Sequence, residues 1–284
     1  HLSHRSAAVR VQALSILAES GEAGSGDAVA ATIADEEDAA TRRAMVSEAA
    51  SAVPLRPAQT DRAGFGPLFV DLARDDDAQI RLLASGWLSA PPFPVDGAAD
   101  AVIEMMRNDP DIEVRGQVCE SAAGLGRDEV VAAMAAVTAR PDDAPGDMYE
   151  RCMSGLIQAW VTPWYPINEK AYRLTLEHLR ATPRSDRAPP ADALGFLLLL
   201  GTEHEQLDAW RARATWFSAP DLIEVMAAIA ADRRAAITAR TSAIEVARVI
   251  GAARARLQKL KTALGKQADP EVARAIDDAI RDAL

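Results

Sequence analysis

Four short segments of this chain repeat one form, an acidic turn, a β-branched residue, an arginine, then an apolar helical stretch. They are Ala8-Val-Arg-Val-Gln-Ala13, Ala40-Thr-Arg-Arg-Ala-Met45, Gln79-Ile-Arg-Leu-Leu-Ala84 and Glu113-Val-Arg-Gly-Gln-Val118. The arginines Arg10, Arg42, Arg81 and Arg115 are spaced 32, 39 and 34 residues apart. A fifth unit fits with Met148 in the β-branched position and Tyr149 in place of arginine. Between these segments lie stretches with apolar residues at helical spacing, expected as helices over 27–34, 66–74, 98–107 and 128–139. Val102, Ile103 and Met106 carry one such face, and Val130, Met134 and Val137 another. A period of this length, made of two helices, constrains the fold strongly. One pair of helices cannot bury its apolar face alone, so successive pairs must stack.

Six residues before each arginine position stand His4, Glu36, Asp75, Asp109 and Asp143. An acid at the start of a helix satisfies free backbone N–H groups and favours the positive end of the helix dipole. It also lies within reach of an arginine from an adjacent repeat. This combination resembles the HEAT-repeat family of armadillo-like α-solenoids, and Asp109-Pro110 followed by Val114-Arg115 is the best match. The resemblance implies an all-α chain wound as a right-handed α-solenoid of two-helix repeats. It also implies a ladder in which Arg10, Arg42, Arg81 and Arg115 meet acids such as Asp75, Asp109 and Asp143. His4 and Tyr149 depart from the family pattern at either end. Residues 1–158 read as about five regular repeats, the first incomplete, and 159–284 as less regular repeats continuing the same solenoid. The proline-containing loop 53–64 accounts for the longer spacing of 39.

Composition agrees with helices. The hydrophobic share is 49% but aromatics are only 5%, and alanine, the best helix former, carries much of the apolar count. Net charge is −11, with 12 Lys/Arg against 26 Asp/Glu in residues 1–150 and 11 against 5 in residues 207–266. A duplex-DNA binder needs a positive surface to displace counterions, so the acidic front half speaks against one. The longest apolar run, Phe196–Leu200, is far short of the ~20 residues of a membrane span. The chain starts at His1 inside a repeat, which points to residues missing upstream or a tag remnant. Cys119 and Cys152 fall at nearly equivalent points of successive helices, where packed axes lie about 8–10 Å apart. Two buried free thiols are expected, and with them a reducing, cytoplasmic setting.

For function, the outward positions of the second helices matter most. Counted two, five and nine residues after each arginine position, they include Gln12, Ser15, Glu19, Ser47, Gln117, Glu120, Arg151, Ser154 and Gln158. The resemblance implies that second helices line the concave side, which makes this row the binding groove for a partner helix or peptide. Trp87, beside the row, is either an anchor or a core residue. Trp160, Trp164 and Tyr165 form an aromatic break that reads as a plug more than as a ligand loop.

The basic stretch 233–266, with Arg248, Arg254, Arg256, Lys259, Lys261 and Lys266, reads as a solvated helix face rather than a nucleic-acid site. Of the four histidines, only His204-Glu205 has the His-Glu order of HEAT-like di-iron hydroxylases, and nothing lies at zinc spacing. No metal and no cofactor are expected. The sequence therefore reads as a non-enzymatic interaction module, a scaffold, adaptor or inhibitor, with a protein or peptide partner and no membrane. The alternative is a nucleic-acid enzyme resembling the HEAT-like alkylpurine DNA glycosylases, reading DNA through the rear half.

Overall fold

A computed structural model describes residues 1–55, 62–139, 147–163, 165–181, 204–265 and 269–283. Among them there are fifteen α-helices, one short 3-10 turn and no strand. The chain divides into two compact units, His1–Val130 and Val131–Leu284.

The first unit holds α1 (Ala7–Ser20), α2 (Ser25–Ala34), α3 (Ala39–Leu55), α4 (Arg62–Leu72), α5 (Ala78–Ser89), α6 (Ala98–Asn108), α7 (Ile112–Ser121) and the 3-10 turn Ala122–Leu125. Helix α8 (Asp128–Thr138) spans the boundary. The odd-numbered helices form one row, α1 on α3, α3 on α5 and α5 on α7. In the other row α2 packs on α4, and α6 closes against α5 and α7. Leu14, Val29, Ile33, Met45, Phe65, Phe69, Ile80, Leu88, Val102, Met106 and Val114 are buried between the rows. They come from the apolar stripes that set the sequence period, so the periodicity and the core are one fact.

Aspartates start the second helices. Asp77 and Asp111 accept hydrogen bonds from Gln79 N and Glu113 N at 2.9 and 2.8 Å. Asp38 accepts from Thr41 N at 2.8 Å. Each satisfies a donor that the helix leaves open. Helix α4 begins four residues earlier than the expected start at Gly66 and runs through Pro67. That extension brings Gly64 onto Gly26 of α2. A β-carbon built on Gly26 would sit 2.6 Å from Gly64 Cα, so only glycine permits this crossing.

The second unit holds α9 (Met148–Val161), α10 (Glu169–Ala181), α11 (His204–Arg213), α12 (Ala219–Ala231), α13 (Ile237–Val249), α14 (Arg254–Leu264) and α15 (Pro270–Asp282). Helices α9 and α10 pair, as do α12 with α13 and α14 with α15. The last two pairs stack, α13 on α15 and α12 on α14. The apolar periodicity of 239–264 is continuous, yet the segment falls in two helices. Gly251, at φ +94°, turns the chain between them, a conformation that costs glycine little. The apolar run Phe196–Leu200 lies outside the described residues.

An aromatic cluster fixes α9, α10 and α11. Trp160 is fully buried and donates from Nε1 to Thr175 Oγ1 at 3.1 Å. Trp210 donates to Trp160 O at 2.8 Å, and Tyr172 to Ser218 O at 3.0 Å. Tyr172 and Phe217 complete the ring contacts around Trp160. Trp160 is thus an internal staple, and Trp164 lies outside the described residues.

The expectation of free thiols is overturned. Cys119 and Cys152 are fully buried and both are disulfide-bonded. The thiol argument for a reducing setting falls with it. No described helix is long and apolar enough to cross a membrane.

Candidate functional site

The arginine positions hold the helices whose outward residues form the candidate surface. Arg10 donates from Nε and Nη2 to the two carboxylate oxygens of Glu36, at 2.7 and 2.9 Å. Arg42 meets both oxygens of Asp75, and Arg81 meets both of Asp109 at 2.7 and 2.8 Å. Two parallel donors on one carboxylate are the strongest geometry such a pair adopts. Each rung joins an arginine to the acid of the following repeat.

The arginines also hold their own turns. Arg81 Nη1 donates to the carbonyls of Asp75 and Asp76, at 2.8 and 3.1 Å, and Arg10 Nη1 to His4 O at 3.0 Å. The acids have a second task as well. Glu36, Asp75 and Asp109 accept from the backbone N–H two residues on, at Asp38, Asp77 and Asp111. The hydrogen bond from Arg10 holds the Glu36 carboxyl below the usual carboxylate range.

Arg81 and Asp109 form the most enclosed rung, with side chains only 8% and 2% exposed. Asp143 lies outside the described residues, and Arg115 Nε is buried with no hydrogen-bond partner among them. In the fifth unit Tyr149 meets His178, its hydroxyl 2.7 Å from Nε2. That pair spans 29 residues, close to the 28 between Arg81 and Asp109. A neutral hydrogen bond here occupies the position of an ion pair, and sequence reasoning missed it.

Burial pushes the His178 imidazole below its ordinary value. The unfolded chain then takes up its proton at higher pH than the folded one. Stability from this residue is complete above about pH 6.5, the unperturbed histidine value, and is lost as pH falls below it. The urea midpoint should therefore fall between pH 7 and pH 5 more steeply in the native chain than in His178→Gln. Parallel slopes in the two proteins would contradict this.

The outward row divides. Gln12, Glu19, Ser47 and Gln117 are exposed, while Glu120, Arg151, Ser154 and Gln158 are half-buried. Arg151 bonds Asp147 at 2.7 Å, and Gln158 donates to Ser154 at 3.0 Å. Ser15 is buried and donates to Glu48 of α3 at 3.0 Å. Trp87 is 6% exposed, so it serves the core and not the surface. It stacks on Phe69 with centroids 4.1 Å apart and meets Phe93 edge-on. Ser89 and Ser121 lie 3.1 Å apart, a link between α5 and α7 that sequence reasoning also missed. The repeat spacing gave no signal of it, since Ser89 is eight residues after Arg81 and Ser121 only six after Arg115.

Open grooves lie over the rungs. One of about 470 Å³ is lined by Asp27, Leu68, Asp71, Arg42 and Asp75, another of about 290 Å³ by Arg74, Glu104, Arg81 and Asp109. In the basic stretch, Arg240 is buried and donates to Ala230 O at 3.0 Å. Arg248 pairs with Glu245, Lys261 with Asp277, and Arg254 donates to Ala283 O. Arg256 and Lys259 are exposed. Among the described residues no group of three His, Cys, Asp or Glu converges as metal ligands do.

No family model matches the chain. No curated protein matches it either. Among solved structures it is similar to engineered proteins from a structural genomics consortium. One is 13% identical, with 99% of this chain and 96% of that chain covered and a TM-score of 0.35. A second is 15% identical, with 95% and 97% covered and a TM-score of 0.33. A third is 15% identical, with 99% and 92% covered and a TM-score of 0.22. Likenesses at these scores bear on neither the fold nor the function of this chain.

Proposed function

We propose that this chain is a HEAT-like interaction module, not an enzyme, whose helix pairs stack as a right-handed α-solenoid. It binds a protein or peptide on the outward face of its second helices, as a scaffold, adaptor or inhibitor. The observation that carries this reading is the division of labour around each rung. Glu36, Asp75 and Asp109 are engaged by arginines and turn N–H groups. Gln12 and Gln117, each two residues after its arginine, remain exposed, and so do Glu19 and Ser47. Rigid helices that present small and polar residues in register suit recognition of an extended surface. The disulfide-bonded cysteines leave a cytoplasmic location outside this reading.

The test is affinity capture with the intact chain as bait, before and after nuclease treatment, beside a variant carrying Ser47→Arg and Gln117→Arg. Both positions are exposed, so circular dichroism should be unchanged. A protein retained by the native chain after nuclease and lost by the variant supports the module. Recovery of nucleic acid alone, with steep salt dependence, favours the glycosylase-like alternative and the exposed Arg256 and Lys259.

A further inference from the structure

The groove of about 470 Å³ in the first unit runs between α2 and α4, with Ala31 and Ala34 on one wall and Pro67 and Leu68 on the other. Asp27 and Asp71 stand exposed on its rims, and neither carboxylate has a partner among the described residues. The cation of the lining, Arg42, is already held by Asp75. A match stands in the second unit. Helix α14 carries Arg254, Arg256, Lys259 and Lys261 and no acid. Arg254 is held by the Ala283 carbonyl and Lys261 by Asp277. Arg256 and Lys259 are exposed and meet no acid among the described residues. This face is outward by its place in the repeat and not for want of a neighbour. Leu257, Leu260 and Leu264 of α14 repeat the buried Leu222, Val225 and Ile229 of α12 at an offset of 35 residues. At the same offset Arg256 and Lys259 fall on Asp221 and Glu224, which are exposed although α14 packs beside α12.

We propose that the α2–α4 groove of one copy of the chain takes α14 of a second copy. Arg256 and Lys259 then reach Asp27 and Asp71, and their aliphatic stems lie along the alanines and Leu68 of the groove. Ala255 and Ala263, exposed beside the two cations, meet the small side chains of Ala31 and Ala34, so the helices can approach closely. The charges are complementary because the groove has no free cation and the helix no acid. The joint is heterologous. Groove and helix are different surfaces, so each copy that docks leaves one of each open for the next. A contact between exposed charges weakens as salt rises. None of the outward positions of the second helices takes part, so the joint stands apart from the module reading.

Sedimentation velocity over a concentration series, at low and high salt, tests it. The native chain should associate reversibly, past twice 30.3 kDa, and fall back to monomer as salt is added. Two variants then separate the surfaces. One carries Asp27→Lys with Asp71→Lys, the other Arg256→Gln with Lys259→Gln. All four positions are exposed, so helicity should be unchanged. Each variant alone should associate about tenfold more weakly than the native chain. Mixed in equal amounts, they restore one working joint, the helix of the first in the groove of the second, and should stop at twice 30.3 kDa. A native chain that is monomeric at every concentration overturns the proposal. So does association that either variant leaves intact, and so does a mixture no larger than its parts. A monomer that still captures a partner through Ser47 and Gln117 leaves the module reading intact, so the two fail separately.

Discussion

Replacing Asp109 by alanine is expected to destabilise the chain by about 3 kcal/mol, the low end for breaking a buried ion pair. The guanidinium of Arg81 keeps its bonds to the Asp75 and Asp76 carbonyls but loses both carboxylate oxygens. The Asp111 N–H loses its acceptor in the same step. Arg81→Met should cost less than Asp109→Ala, because it removes the charge along with its partner and keeps much of the buried stem. Urea unfolding of the two single variants and the double variant reads this directly. Equal losses in the two singles, with full additivity in the double, would show that the rung contributes no coupling.

The second large effect is at the α2–α4 crossing. Gly26→Ala should destabilise by about 3 kcal/mol, the upper range for overpacking. Helix propensity runs the other way, since alanine is favoured over glycine by about 1 kcal/mol inside a helix. The clash wins because the new carbon meets backbone at 2.6 Å on a neighbouring helix, and backbone does not rotate aside. Gly86 of α5 is the internal control. It is exposed, with nothing within 4 Å of a built β-carbon, so Gly86→Ala should stabilise by about 1 kcal/mol. Opposite signs for one substitution in two helices are the result to look for by thermal and urea denaturation. A loss at Gly86 matching that at Gly26 would contradict the argument.

The rungs were legible because their spacing is short-range and repeated. An arginine every 32 to 39 residues, with an acid six before it, already contains both partners of Arg42–Asp75 and Arg81–Asp109. The neutral pair Tyr149–His178 was hidden because its residue types change while its spacing does not. Burial of individual residues was less legible. Ser15 follows the outward count, yet it is buried, because α1 packs beside α3 and turns that position toward Glu48. Trp87, beside the row, packs against Phe69 in the core. The break at Gly251 was masked by leucine and alanine periodicity that continues on both sides of it. Oxidation of Cys119 and Cys152 was missed because average helix spacing says little about one particular pair of side chains.

The rungs have a consequence for how such a chain can change in length. Each arginine reaches only to the acid of the next repeat, and that acid stands two residues before the next helix cap, as in Glu36-Glu37-Asp38, Asp75-Asp76-Asp77 and Asp109-Pro110-Asp111. Excising residues 37–75 would join Glu36 to Asp76-Asp77 and so rebuild acid, spacer and cap in frame. Arg10 would find its carboxylate, and Arg81 would find its own. The rungs alone therefore tolerate duplication or loss of a repeat without rewriting the joints on either side, while the Gly26–Gly64 crossing binds α2 to its own neighbour.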